Sequence, residues 1–286
     1  MSRDRAALGA FLRSRRDRLT PAQAGIEPFP GGRKVPGLRR EELAVLAALS
    51  PDYYGRLEQG RQANISREVL DALARALRLD EVERAHLFDL AAPGDERRAT
   101  VTEAPQRADP GLLRIMTTLD HVPVLLLGHR GDVLARNALL CAVLGRPFEP
   151  GASFTHYLFL DPSARERIVN WPVFAQASVA AMRREIGRRP YDRRLRALVD
   201  ELRAADPEVE RWWNDHAVRD YASVTKQIRH PAAGDLHFAI EIVVAPHEPD
   251  QRLIVYTTAP DSPTARLLPI LASWDAAGRP RTGRVR

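Results

Sequence analysis

LRREELAVLAALSPDYYGRLEQGR, residues Leu38 to Arg61, reads as two short helices joined by a tight turn. Leu43, Ala47 and Leu49 fall on one side, and Tyr54 and Leu57 return to that side after the turn, so two apolar stripes face one core. Ala44 and Ala48 are small enough for the helices to cross closely. The pattern is that of a helix-turn-helix, whose second helix enters a DNA major groove. An ordinary pair of packed helices has the same spacing, so features outside the stretch must choose between them.

Charge is the first of these. Residues 1 to 79 hold 15 Lys+Arg against 9 Asp+Glu, and the other 207 residues hold 28 against 28, so the whole net charge of +6 lies around the hairpin. A basic excess so placed favours a polyanion, because each phosphate neutralised releases condensed counterions. The total weighs less than the asymmetry: Arg outnumbers Lys 41 to 2, a usage that a GC-rich genome also produces.

Upstream, Leu8, Phe11, Leu12 and Leu19 give one apolar face to a helix from about Arg5 to Arg18. Thr20 to Gly37 carries four prolines and four glycines and reads as loop, with one helical turn after Pro21. Arg33 and Lys34 in that loop are placed to act as an arm on phosphates or in a minor groove. Downstream, Ser66 caps a fourth helix through Leu77, and Asp80 with Glu83 forms a capping box that opens a fifth, with Val82, Leu87, Phe88 and Leu90 on its buried side. An all-α five-helix head thus spans residues 1–91, and the Pro-, Gly- and charge-rich 92–110 is its linker.

A chain of 286 residues suggests two domains. Across 111–262 the texture changes. After a helix near Leu112 to Leu119, Val122–Gly128 and Asp132–Asn137 read as a strand hairpin. Helical segments follow at about 138–144, 163–169, 171–186, 193–204 and 208–216, then β-rich runs at Ser223–His230, Asp235–Ala245 and Arg252–Ala259. In the middle run Leu236, Phe238, Ile240, Ile242 and Val244 share one face. The class is α+β, an antiparallel sheet partly covered by helices, with a C-terminal helix or tail over 263–286.

No apolar run spans a bilayer and no secretory signal is recognisable, which places the chain in the cytoplasm, away from membranes. The single Cys141 excludes a disulfide framework and multi-cysteine zinc, and it reads as a buried small hydrophobe. HExxH, GxxxxGK, GxGxxG and GxSxG are absent, and the histidines are scattered, with only His230/His237 and His216/Asp215 inviting a metal or acid/base reading. Neither an enzyme nor a cofactor is expected. Tyr157, Phe159, Trp171, Phe174, Trp212, Trp213 and Phe238 suggest an apolar cavity between helices and sheet, for which Asn137, Arg229, His230 and Glu241 supply orienting polar groups. The alternative is that these aromatics only fill the core.

PGLRREELAVLA, SPDYYGRLEQGR and LDALARALRLDEVERAHLFDLA, followed by PVLLLGHRGDVLARNALLCAVLG, FLDPSARE, DRRLRALVDELRAADPEVERWWNDHAVRD, IRHPAAGDL and RLIVYTTAP, run nearly continuously from residue 5 to 260. Together they resemble the actinobacterial regulators with an Xre-like (Cro/C1-type) helix-turn-helix and an MmyB-like ligand-binding domain. The resemblance implies a transcription regulator whose second domain is PAS-like and takes small apolar ligands, fatty acids among them. Three positions depart from the family's pattern: Ala48 stands where a turn glycine is usual, Arg136 makes LARN of LAWN, and Ser153 replaces an asparagine ahead of FLDP.

Carried onto this chain, the resemblance makes Ser50 the cap of the recognition helix and points Pro51, Asp52, Tyr53 and Arg56 at the groove. Arg56 suits base readout, being able to pair bidentately with guanine, and Asp52 can accept from cytosine N4. Arg39, Arg40, Gln59 and Arg61 are assigned to phosphates, Tyr54 to the core with its hydroxyl near backbone, and Glu58 to a structural hydrogen bond or ion pair. The expected protein is a homodimer on a pseudo-palindromic double-stranded operator, associated with the nucleoid and controlled by ligand. Its rivals are a regulator whose second domain only dimerises and an enzyme or carrier with a helical adaptor.

Overall fold

The computed structural model describes residues 2–30, 35–62, 64–92, 106–218 and 225–278. Arg33, Lys34 and most of the 92–110 linker lie outside these residues. Close contacts divide the chain into two compact units: residues 1–102, 179–203 and 207–220 form one, and 103–178, 204–206 and 221–286 the other. Residues 179–203 and 207–220 therefore group with the head, although they stand within the 111–262 stretch.

The head contains α1 (Ser2–Arg18), α2 (Pro21–Ala24), α3 (Arg40–Leu46), α4 (Pro51–Glu58), α5 (Arg67–Ala76) and α6 (Glu81–Ala91). The five helices read from the stripes are present, and α2 is the single turn expected after Pro21. Capping sets their starts. Thr20, Ser50, Ser66 and Asp80 each accept a backbone N–H of the first turn, and Glu83 completes the box with Asp80. Leu8, Phe11, Leu12, Leu38, Leu43, Tyr54, Leu57, Leu73 and Leu87 are buried together as one core.

Helix α1 crosses α4 at Gly9, where an added Cβ would stand 2.2 Å from the Glu58 carbonyl oxygen, so no larger residue fits that crossing. The turn between α3 and α4 places Ala48 at φ 54° while Leu49 N–H reaches Ala44 O at 2.8 Å. An L-residue with a Cβ is strained in this left-handed conformation by about 1–2 kcal/mol, of which glycine's greater unfolded freedom offsets part. Ala48→Gly should accordingly stabilise the protein by about 0.5–1 kcal/mol, read as a higher denaturant midpoint. A lower midpoint would show the turn to be unstrained.

Three helices join this unit from later in the chain: α11 (Trp171–Arg188) from Val179 onward, α12 (Arg193–Ala205) and α13 (Pro207–Asn214). Arg15 donates to His216 O at 2.8 Å and Arg18 to Asp215 Oδ1 at 2.6 Å, so two cations of α1 grip the end of α13, where exposed carbonyls carry negative partial charge. Val218 enters the head core. The His86 ring lies against Gly187, whose added Cβ would meet it at 2.6 Å. Burial, then Arg183 and Arg15, push His86 down to about 3 and His216 to about 4, so both are neutral structural groups. His216 lies beside Arg183, at 3.2 Å, and Arg183 acts on it more strongly than its neighbour Asp215 does.

The second unit is built on β1 (Val124–Gly128), β2 (Val133–Arg136), β3 (Thr225–His230), β4 (Gly234–Ala245) and β5 (Glu248–Thr257), an antiparallel sheet in the order β2-β1-β5-β4-β3. Its helices are α7 (Pro110–Thr118), α8 (Ala138–Leu144), α9 (Phe154–Leu160), α10 (Pro162–Arg167), the start of α11 and α14 (Pro263–Gly278). Helix α9 has no counterpart among the expected elements. Its aromatic run shows no clean helical stripe, and a single polar cap, Ser153, starts it.

The register fixes which residues share a face. Leu125, Ile254, Ile240 and Tyr256 lie with Phe238, Lys226, Leu236 and Ile228 on one face; Val124, Leu126, Leu253 and Val255 lie on the other, against Leu112 of α7. The alternation of β4 holds through Ile240 but ends at an irregularity between Val243 and Ala245, so Val244 is exposed. Cys141 is half-buried on α8. Among the described residues no helix is long and apolar enough to cross a membrane.

Candidate nucleic-acid interface and ligand site

Tyr54, Leu57 and Glu58 root α4 in the head, and this leaves Pro51, Asp52 and Arg56 outside with Tyr53 half-buried. Ser50 Oγ accepts from Tyr53 N at 3.1 Å, the cap expected of it. Asp52 and Arg56 pair across one turn with side chains 79% and 44% exposed, and Arg56 also lies over the Tyr53 ring at 5.9 Å. An exposed pair of this kind contributes little, so Arg56 is readily released to another acceptor. Gln59 and Arg61 are exposed beyond the helix end.

Behind this face stands one buried carboxylate. Glu58 accepts from Arg16 Nε of α1 and Arg40 Nε of α3, each at 2.7 Å, and its own side chain has no exposure. Burial raises its pKa, but the hydrogen bonds from Arg16 and Arg40 outweigh that and hold it below the usual carboxylate range. Arg40 therefore has a structural duty besides the phosphate contact expected of it. Tyr54 is in the core, where burial and then Glu58, rather than a backbone group, push its phenol up. Arg39 is the N-terminal boundary residue of α3: its N–H reaches Glu42 at 2.7 Å and its guanidinium donates to Pro30 O at 3.0 Å.

In the second unit, a groove of about 560 Å³ is lined by Arg146, Phe148, Ser153, His156, Tyr157 and Asp161. Arg146 pairs with Asp161 and lies over the Tyr157 ring at 4.8 Å. Arg136 donates to Phe148 O at 3.0 Å, and Ser153 caps α9 by accepting from His156 N at 3.1 Å, so these two departures from the family pattern both shape the groove wall. The Tyr157 hydroxyl is buried with no hydrogen-bond partner among the described residues, and burial pushes it up to about 12.

The aromatics expected at a cavity only partly converge. Tyr157, Phe174 and Phe238 approach one centre around Lys226 and Tyr256: Phe238 packs on Tyr256 at 5.6 Å, and Phe174 faces the Lys226 amine at 4.3 Å. Phe159 and Trp171 pack on each other, and the Trp171 ring N–H donates to Leu158 O at 2.8 Å. Trp212 and Trp213 belong to the other unit.

The polar candidates are engaged elsewhere. Asn137 accepts from Val124 N and Leu140 N and donates to Leu119 O and Val122 O, which ties a strand to a helix start. His230 Nδ1 accepts from Ala232 N and Ala233 N in the β3–β4 turn. The register turns Arg229 and Glu241 to the face opposite Phe238, both exposed, with Arg229 paired to Asp235 at 3.1 Å. Lys226 and Tyr256 were not among the expected residues. The available signal was the inward alternation of Lys226, Ile228 and His230 on a strand, with a lysine where this chain almost always uses arginine.

Residues 108–271 match the model of the MmyB-like transcription regulator ligand binding domain, and residues 7–87 match that of a helix-turn-helix domain. The first of these models is that of a transcription regulator's domain. No curated protein matches the chain.

Proposed function

The chain belongs to the MmyB-like transcription regulators, a DNA-binding class with a ligand-binding domain, and from that premise we propose that it binds a pseudo-palindromic operator as a homodimer under control of a small apolar, fatty-acid-like ligand. Its place of action is the cytoplasm, on the nucleoid. The observation that carries the DNA half is the outer face of α4, where Pro51, Asp52 and Arg56 are exposed beside the half-buried Tyr53 on a helix rooted by Tyr54 and Leu57. Arg56 reads a base edge, while Arg39, Arg40, Gln59 and Arg61 hold phosphates, with Arg33 and Lys34 as an arm. In a dimer two such helices meet major grooves about 34 Å apart, and ligand in the second domain alters how readily the two heads adopt that spacing.

Arg56→Ala should cost about 1–3 kcal/mol of operator affinity and relax preference at one base pair. Arg40→Ala should instead weaken binding to all sequences alike and lower the salt slope by about one. Both are read by titrating operator and random duplexes at several salt concentrations. An equal loss on both duplexes for Arg56→Ala would assign that side chain to phosphate.

Selection of genomic fragments on the purified protein, with and without extracted lipids, tests the whole reading. One enriched two-fold motif whose occupancy changes with lipid is the expected result. A motif indifferent to every lipid fraction would leave the second domain as a dimerisation module, and no enrichment at all would refute the DNA reading.

A further inference from the structure

Only two of the 43 basic residues in this chain are lysines, Lys34 and Lys226. Lys226 has no exposed surface. Its amine lies 3.1 Å from the Tyr256 hydroxyl, and ring faces of Phe174, Phe154 and Tyr256 surround it at 4.3, 5.0 and 5.3 Å. Among the described residues no carboxylate pairs with it. Burial alone pushes its pKa down to about 7. An arginine in this box would stay charged without a counter-ion, whereas a lysine can be neutral when the box is empty and charged when an anion arrives.

The aromatic wall of the groove connects to this amine through Phe154. Tyr157 and Phe148 wall it, their rings 5.1 Å apart, and Phe154 packs on both, at 5.5 and 5.6 Å, while facing Lys226 on its other side. The unpartnered Tyr157 hydroxyl lies close enough to Tyr256 to act on its titration. Two phenols and one amine thus approach one another inside an aromatic shell, with one hydrogen bond among them. The polar group on the amine is Tyr256 from β5; Tyr157 from α9 acts on Tyr256, with Arg146, Arg167 and Asp161 beyond it.

We propose that Lys226 is the charge anchor of the ligand site, an inference that rests on the ligand-binding reading above. The ligand is an amphiphilic organic acid: its carboxylate sits on the Lys226 ammonium and accepts from the Tyr256 and Tyr157 hydroxyls, and its apolar part lies along Phe148, Phe154 and Phe174. Phe154 turns aside to admit the head group. Binding of the anion above pH 7 draws one proton onto Lys226.

Two lysines make the test direct. Delipidated full-length protein carrying lysine labelled with ¹³C at Cε gives two side-chain signals, assigned with Lys34→Arg, and each is followed through a pH titration alone, with decanoate and with methyl decanoate. The expected result is a Lys226 midpoint that rises by about one unit or more with decanoate and does not move with the ester. Lys226→Met should bind decanoate at least about tenfold more weakly and the ester unchanged. If that variant does not fold, the wild-type titration decides alone. Decanoate that binds without moving the Lys226 midpoint, or binds Lys226→Met equally, overturns the anchor and leaves the ligand reading standing. Failure of both probes to bind refutes the two together.

Discussion

Replacing Glu58 by alanine should destabilise the protein by about 3–5 kcal/mol, the usual cost of breaking a buried charged pair by removing one partner. The reason lies in what Glu58 joins. Its carboxylate is the common acceptor of Arg16 on α1 and Arg40 at the start of α3, and it projects from α4, so one side chain ties three helices together. Without it, Arg16, which is 4% exposed, keeps Leu38 O and the half-exposed Asp17 as partners but loses its buried carboxylate. Arg40→Ala should cost far less, because Arg40 is half exposed and Arg16 still satisfies the carboxylate.

The acid limb gives an independent check. Glu58 has a folded pKa below its ordinary 4.5, so its stabilisation is fully present above 4.5 and is lost as pH falls through the folded value. Glu58→Gln should therefore flatten the loss of stability below about pH 4.5 as well as lower the plateau. Denaturant unfolding at pH 7 and pH 3.5 measures both. A loss under about 1 kcal/mol at pH 7 would mean that the cluster is no better than a surface pair.

What was legible in the sequence follows the physics of each element. The hairpin of the head could be read because its stripes, caps and small residues all act within a few positions of one another. The strands were legible wherever one face is buried and the other wet, as from Leu236 to Ile240. Helix α9 was missed because its buried Phe154, Tyr157, Leu158 and Phe159 are followed by an exposed apolar Leu160, so no clean stripe separates an apolar from a polar face. The docking of residues 179–203 and 207–220 on the head was equally invisible. It depends on Arg15, Arg18 and His86 meeting groups 101 to 201 positions away, and separations of that size leave no local signature. The polar candidates failed to gather for a related reason. Asn137 and His230 look like ligand-facing groups until strand and turn geometry assigns their nitrogens and oxygens to nearby backbone.

Lys226→Met should stabilise the ligand-free protein at pH 7 and below by about 3–5 kcal/mol, since one pKa unit corresponds to about 1.4 kcal/mol and Lys226 falls from 10.5 to about 7. The unfolded lysine keeps its proton up to 10.5, while the folded one releases it near 7. Between those values the unfolded chain binds more protons, so wild-type stability rises with pH, and below 7 the full penalty remains. Methionine fills a similar volume without a charge to desolvate. The two stability curves should therefore lie farthest apart at pH 6 and converge toward pH 10.5, as measured by denaturant unfolding of delipidated protein. Parallel curves would mean that the folded Lys226 keeps an ordinary proton affinity and that its surroundings supply a counter-charge. The sign also bears on the ligand. A core that would be more stable with methionine keeps its amine at a cost, and a bound acid is the one partner that turns that cost into affinity, because the energy released on restoring the ammonium is realised only when the anion is in place.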